Sequence, residues 1–180
     1  MIEFPPIPSW DGLHPLIIHF PIALLLIVPI FIALGILLRR TGRTFSVAAL
    51  LLMVMGTAAL FVAIGTGEAA GELADRTPQV MEVLQHHEEL AELARSVFVG
   101  LTVIYAVILF LPSIFSKRLS RGPVLALQGV FLLLYLAGSV VLINTAHNGG
   151  RLVHELGVRA LVALPMEGAS TPDRLALDAD

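Results

Sequence analysis

Six side chains in this sequence are suited to holding a metal or a metal-bearing cofactor: His14, His19, His86, His87, His147 and His154. A neutral imidazole gives one ring nitrogen to a metal and uses the other N–H to hold its own orientation against a carbonyl or carboxylate. The chain has no cysteine. That excludes a disulfide framework, a thiolate nucleophile, a zinc ribbon, a cysteine-held iron–sulfur cluster and the CxxCH attachment of a c-type haem. Any metal or cofactor must therefore be held by His, Asp, Glu, Met or the backbone.

The elements that position these histidines follow from composition. Of 180 residues, 57% are hydrophobic and 14% charged, and the mean hydropathy is +0.88. Those values exclude both a soluble globular domain and a disordered chain. A bilayer core of about 30 Å needs about 20 apolar residues in a helix. Four uncharged segments answer that description, Leu16–Leu38, Phe45–Thr66, Ser96–Leu111 and Val124–Asn144. The predicted fold is an all-α membrane protein, a four-transmembrane-helix bundle with an amphipathic outer helix before the third span. That outer helix is read from Val80, Val83, Leu84, His87, Leu90, Ala91 and Ala94 at i, i+3, i+4 spacing, with Thr77–Pro78 as its start signal. A further short helix is expected over Leu152–Leu164 at the outer surface, ended by Pro165. Residues 1–160 form one domain on this reading, and 161–180 a short, acidic, mobile tail. Pro29 and Pro112 mark expected kinks or ends.

Charge placement orients the bundle. Arg39, Arg40 and Arg43 join spans one and two, and Lys117, Arg118 and Arg121 join spans three and four. Between spans two and three the chain is acidic, with Glu68, Glu72, Asp75, Glu82, Glu88, Glu89 and Glu92 against Arg76. The positive-inside rule then puts the basic loops in the cytoplasm and both termini outside. In a bacterium that is the inner membrane with periplasmic termini. All six histidines fall on the outer side. The charge pattern gives no footing for nucleic acid.

Within that frame His19, His87, His147 and His14 are the candidate cofactor-binding residues, and His19, His87 and His147 the candidates if the guest is a bare metal ion. Glu88 and His154 would support them, Glu88 by accepting from a ligating imidazole. Each has a plainer alternative: a helix-start residue for His14, a core histidine bonded to a carbonyl for His19, a surface residue for His154. The acidic run Glu88, Glu89, Glu92 also reads as a solvated face, and His86 as a solvated residue. Gly56, Gly65, Gly67 and Gly71 suit close helix packing in lipid, and the same groove would admit a flat macrocycle.

The stretch His14–Pro15–Leu16–Ile17–Ile18–His19–Phe20–Pro21–Ile22–Ala23 resembles the HPxxxHFPIAL opening of the bacterial membrane proteins known as domain of unknown function 2231. The likeness continues through Thr66–Gly67–Glu68–Ala69–Ala70–Gly71, His87–Glu88–Glu89–Leu90 and Gly149–Gly150–Arg151–Leu152–Val153, and so covers the chain to about Ala160. It implies a four-span bacterial inner-membrane protein, with an association with cytochrome-like domains in some relatives. One departure stands out. Where the family reads LVYxHGV, this chain reads Leu152–Val153–His154–Glu155–Leu156–Gly157–Val158, with His at the Tyr position and Leu at the His position.

The expectation is a redox protein that binds a b-type haem, or else a metal ion, in the outer half of the bundle. Two axial histidines on facing helices are how helical bundles hold haem b. With histidines at one level only, electrons would pass laterally, between quinol in the lipid and a periplasmic cytochrome or within a larger assembly. The alternative is a non-catalytic accessory subunit of a respiratory or photosynthetic membrane complex, with no cofactor and with lipid and other membrane subunits as its partners. A transporter ranks below both, because no charge lies near the midplane. A hydrolase would have to rest on zinc held by His14, His19, His87 and Glu88.

Overall fold

The computed structural model describes residues 7–114 and 121–158, and within them every regular element is helical. A 3-10 turn, Asp11–Leu13, leads into α1 (His14–Ile17), followed by α2 (His19–Leu37), α3 (Gly42–Glu72), α4 (Pro78–Ile114) and α5 (Arg121–His154). Four stretches are long and apolar enough to cross a membrane, Asp11–Leu37, Gly42–Glu72, Pro78–Phe110 and Gly122–His154. The expected four-span helical architecture is what the chain adopts.

Short connections make sequential helices antiparallel neighbours. α2 packs on α3, α3 on α4, α4 on α5, and α5 closes back on α2. The faces follow lipid logic, with large apolar side chains such as Phe20 and Leu133 pointing outward, 61% and 69% exposed. The interior is specified by shape. Phe98 meets Tyr135 edge-on at 5.5 Å, and Tyr105 stacks on Phe131 at 4.8 Å, zipping α4 to α5. Glycines set the closest approaches: a Cβ on Gly56 would stand 2.7 Å from Leu25, and one on Gly138 would stand 2.8 Å from Leu101.

Pro29 lies inside α2. Lacking an N–H, it cannot bond the carbonyl of Leu25 four residues earlier. The buried Tyr135 hydroxyl donates to that carbonyl at 3.0 Å, so the vacancy becomes an interhelical bond.

The amphipathic stretch before the third span is one continuous helix with it. α4 starts at Pro78, where Thr77 Oγ1 accepts from the Val80 N–H at 3.4 Å, and its apolar face, Val80 and Leu84, packs on Leu152 of α5. At the other end of the bundle the expectation of a separate helix from Leu152 gives way to a different arrangement. α5 runs unbroken through Gly149–Gly150 to His154. It ends where Gly157 adopts φ 69° and the Val158 N–H reaches back to Leu152 O at 2.9 Å, a stop that uses glycine's access to the left-handed region. Residues 159–164 of that expectation, Pro165 and the 161–180 tail lie outside the described residues.

Candidate functional site

The α1 start, the α3 end, the α4 start and the α5 end meet at the pole opposite Arg39, Arg40 and Arg43. His14 opens α1 with its ring turned onto α3. Its Nδ1 lies 3.0 Å from Ala63 O and 3.1 Å from Thr66 Oγ1. The Thr66 hydroxyl spends its own proton on Ala63 O at 2.9 Å or Val62 O at 3.1 Å. Both neighbours of Nδ1 are thus acceptors, so Nδ1–H is the donor and Nε2 keeps a lone pair. Beside this contact the Trp10 indole N–H donates to Gly65 O at 3.1 Å, fastening the leading turn to α3.

His87 repeats the device in the second half of the chain. Its Nδ1 stands 2.9 Å from Thr145 O on α5. A backbone carbonyl can only accept, so here too Nδ1–H donates and Nε2 is left basic. The seats also match. A Cβ on Gly67 would come within 2.8 Å of His14 Cε1, and one on Gly149 within 3.0 Å of His87 Cε1. In both cases the ring rests on a glycine four residues after the carbonyl it bonds, Ala63 with Gly67 and Thr145 with Gly149. Each half of the bundle therefore carries one half-buried imidazole held by the same clasp.

The remaining histidines face outward. His19 is exposed; five positions after His14, it is turned about 140° around a helix. His147 sits two residues from both Thr145 and Gly149, which puts it about 160° from the face that seats His87, and it is exposed. His86 and His154 are exposed as well. His147 and His154 line, with Gly150, Arg151 and Glu155, a shallow groove of about 240 Å³, in which Arg151 pairs with Glu155 at 3.0 Å. Glu88 is exposed and lies over α3, where a Cβ on Gly71 would stand 3.2 Å from its Oε1. It makes no hydrogen bond to either ring among the described residues. Of the six expected residues, the structure brings His14 and His87 to the interior and leaves His19, His147, Glu88 and His154 at the surface.

The partners that fix the two rings, Ala63, Thr66, Gly67, Thr145 and Gly149, were not among the expected site residues. Gly67 and Gly149 were visible in the quoted motifs, but glycine spacing reads equally as helix packing. A ring seat becomes apparent only when the neighbouring helix is in place.

The donor set also bears on what could be bound. Among the described residues no group of three or more His, Cys, Asp or Glu is placed to hold a metal ion. Zinc sites draw three or four ligands from the protein. A macrocycle brings its own four equatorial nitrogens and asks only for axial ones. Two oriented imidazoles with free Nε2 atoms fall short of the first count.

The profile of a family described as predicted membrane protein matches residues 11–161. No curated protein and no solved structure matches the chain.

Proposed function

The chain belongs to the predicted membrane protein family known as domain of unknown function 2231, and from that premise we propose that it binds a b-type haem through His14 and His87 and serves in electron transfer. One observation carries this reading. Both inward imidazoles have Nδ1–H committed to a carbonyl of a neighbouring helix, so both Nε2 lone pairs are left for a guest. This is the orientation that supporting hydrogen bonds impose on metal-binding histidines.

When bound, haem would supply a one-electron couple. The chain's own residues do the rest. Ala63 and Thr66 hold the His14 tautomer, Thr145 holds that of His87, and Gly67 and Gly149 let the Cε1 edge of each ring approach the neighbouring helix. By the positive-inside rule the site belongs to the periplasmic side of the inner membrane. Electrons would then move laterally, with quinol, a periplasmic cytochrome or an adjoining membrane subunit as partner.

Full-length protein purified from haem-replete cells is expected to show a Soret band and a reduced α-band. His14→Ala and His87→Ala should each abolish them, while His19→Ala and His147→Ala leave them in place. A colourless, folded preparation overturns the haem reading. If elemental analysis then finds metal, the guest is a bare ion.

A second reading draws on the same bonds. Nδ1 of His14 ties α1 to α3, and Nδ1 of His87 ties α4 to α5, so the rings also staple the bundle. An accessory subunit of a larger membrane complex would need no more than that. It predicts that the two alanine variants lower the melting temperature of a protein that never carried colour.

A further inference from the structure

One outward face of α5 changes character along its length. Leu133, Leu136, Val140 and Ile143 are exposed apolar residues, and His147, Arg151 and His154 continue the same row to the helix end. At 100° per residue all seven lie within about 40° of His147 around the axis. From Leu133 to Ile143 the helix rises about 15 Å, half of the hydrocarbon core of about 30 Å in a bilayer. An apolar track one leaflet deep thus leads up to the groove lined by His147, Gly150, Arg151, His154 and Glu155.

That groove carries both signs of charge. Arg151 Nε donates to Glu155 Oε2 at 3.0 Å, which holds guanidinium and carboxylate side by side. Among the described residues both Arg151 Nη groups and Glu155 Oε1 are left without a hydrogen-bond partner. His147 and His154 each add a ring N–H in either tautomer. The floor is open, since a Cβ on Gly150 would meet nothing within 4 Å. We infer that this face of α5 seats a phosphoethanolamine phospholipid, its phosphate on the Arg151 Nη groups, its ammonium on Glu155 and an acyl chain along the row from Ile143 to Leu133. The guanidinium fork matches a phosphate's paired oxygens. Glu155 sets the choice of headgroup: a glycerol headgroup brings hydroxyls but no cation to the carboxylate, and choline brings a cation without an N–H. At about 240 Å³ the groove is smaller than the roughly 300–1,000 Å³ of pockets for drug-sized ligands. It shares no residue with the seats of His14 and His87, so it stands or falls without the haem proposal.

The test is native mass spectrometry of the full-length protein in mild detergent, titrated with phosphatidylethanolamine, phosphatidylglycerol and phosphatidylcholine of identical acyl chains. Phosphatidylethanolamine is expected to be retained several-fold more than the other two. Arg151→Ala should bring its retention down to the phosphatidylcholine level, and Glu155→Gln should remove the preference over phosphatidylglycerol. Gly150→Leu fills the open floor without touching a neighbour and replaces glycine with a better helix former, so it should lower retention in a protein that stays folded by circular dichroism. Millimolar inorganic phosphate and soluble glycerophosphoethanolamine, which lack the acyl chain, should leave the bound lipid in place. Equal retention of the three lipids, retention unchanged in Arg151→Ala and Gly150→Leu, or displacement by inorganic phosphate, which would make this a free-phosphate site, each overturns the inference.

Discussion

At the scale of single residues, the proposed haem site depends on which of two ring nitrogens holds a proton. An imidazole bonded at Nδ1 to an acceptor offers Nε2, and His14 and His87 are both bonded in that way. Their orientation rests in turn on two glycines. Gly67→Ala would place a methyl group 2.8 Å from His14 Cε1, and Gly149→Ala one 3.0 Å from His87 Cε1. Neither helix has reason to unfold, because alanine is the better helix former by about 1 kcal/mol. On the haem proposal the expected outcome is a fold that survives by circular dichroism with haem absorbance reduced or lost. Wild-type absorbance in both variants would show that the glycine seats do not position the ligands.

At the scale of elements, the interior of the bundle couples a local defect to a distant partner. The carbonyl that Pro29 leaves open on α2 is closed by Tyr135 of α5. Tyr135→Phe should therefore cost about 1–3 kcal/mol, the penalty for orphaning a buried acceptor. Pro29→Ala restores an N–H to the helix ladder, so the same Tyr135→Phe change made in that background should cost markedly less. A double-mutant cycle read by thermal or denaturant unfolding measures the difference. Equal costs in both backgrounds would mean that Tyr135 contributes through ring packing alone.

For the whole molecule the issue is which pole faces which compartment. The chain has no cysteine, so single cysteines can be introduced without removing any. Arg40→Cys and Gln79→Cys fall at opposite poles on exposed positions. In intact bacterial cells a membrane-impermeant thiol reagent is expected to reach position 79 but not position 40, with position 40 reacting after the inner membrane is opened. The reverse pattern would place the imidazole pair on the cytoplasmic side and exclude a periplasmic electron partner.

Much of this was legible in the order of residues alone. The four spans, the Thr77–Pro78 start of α4 and the meeting of the histidines at one pole follow from properties a linear chain carries: apolar length, helical period and the placement of charge. Depth along a helix scales with sequence position, so His14, His19, His87 and His147 could be assigned to one end. Rotation about the axis was another matter. It separates His14 from His19 and His87 from His147, and it depends on which neighbour each helix packs against. Gly149–Gly150 shows the same limit, since a glycine pair reads as a break until the ring of His87 is seen to occupy the space it leaves. Sequence by itself thus determined the span count, the poles and the chemical types available. Only the tertiary structure decided which imidazoles turn inward and which nitrogen each leaves free, because facing and tautomer are set by contacts 49 to 58 residues away along the chain.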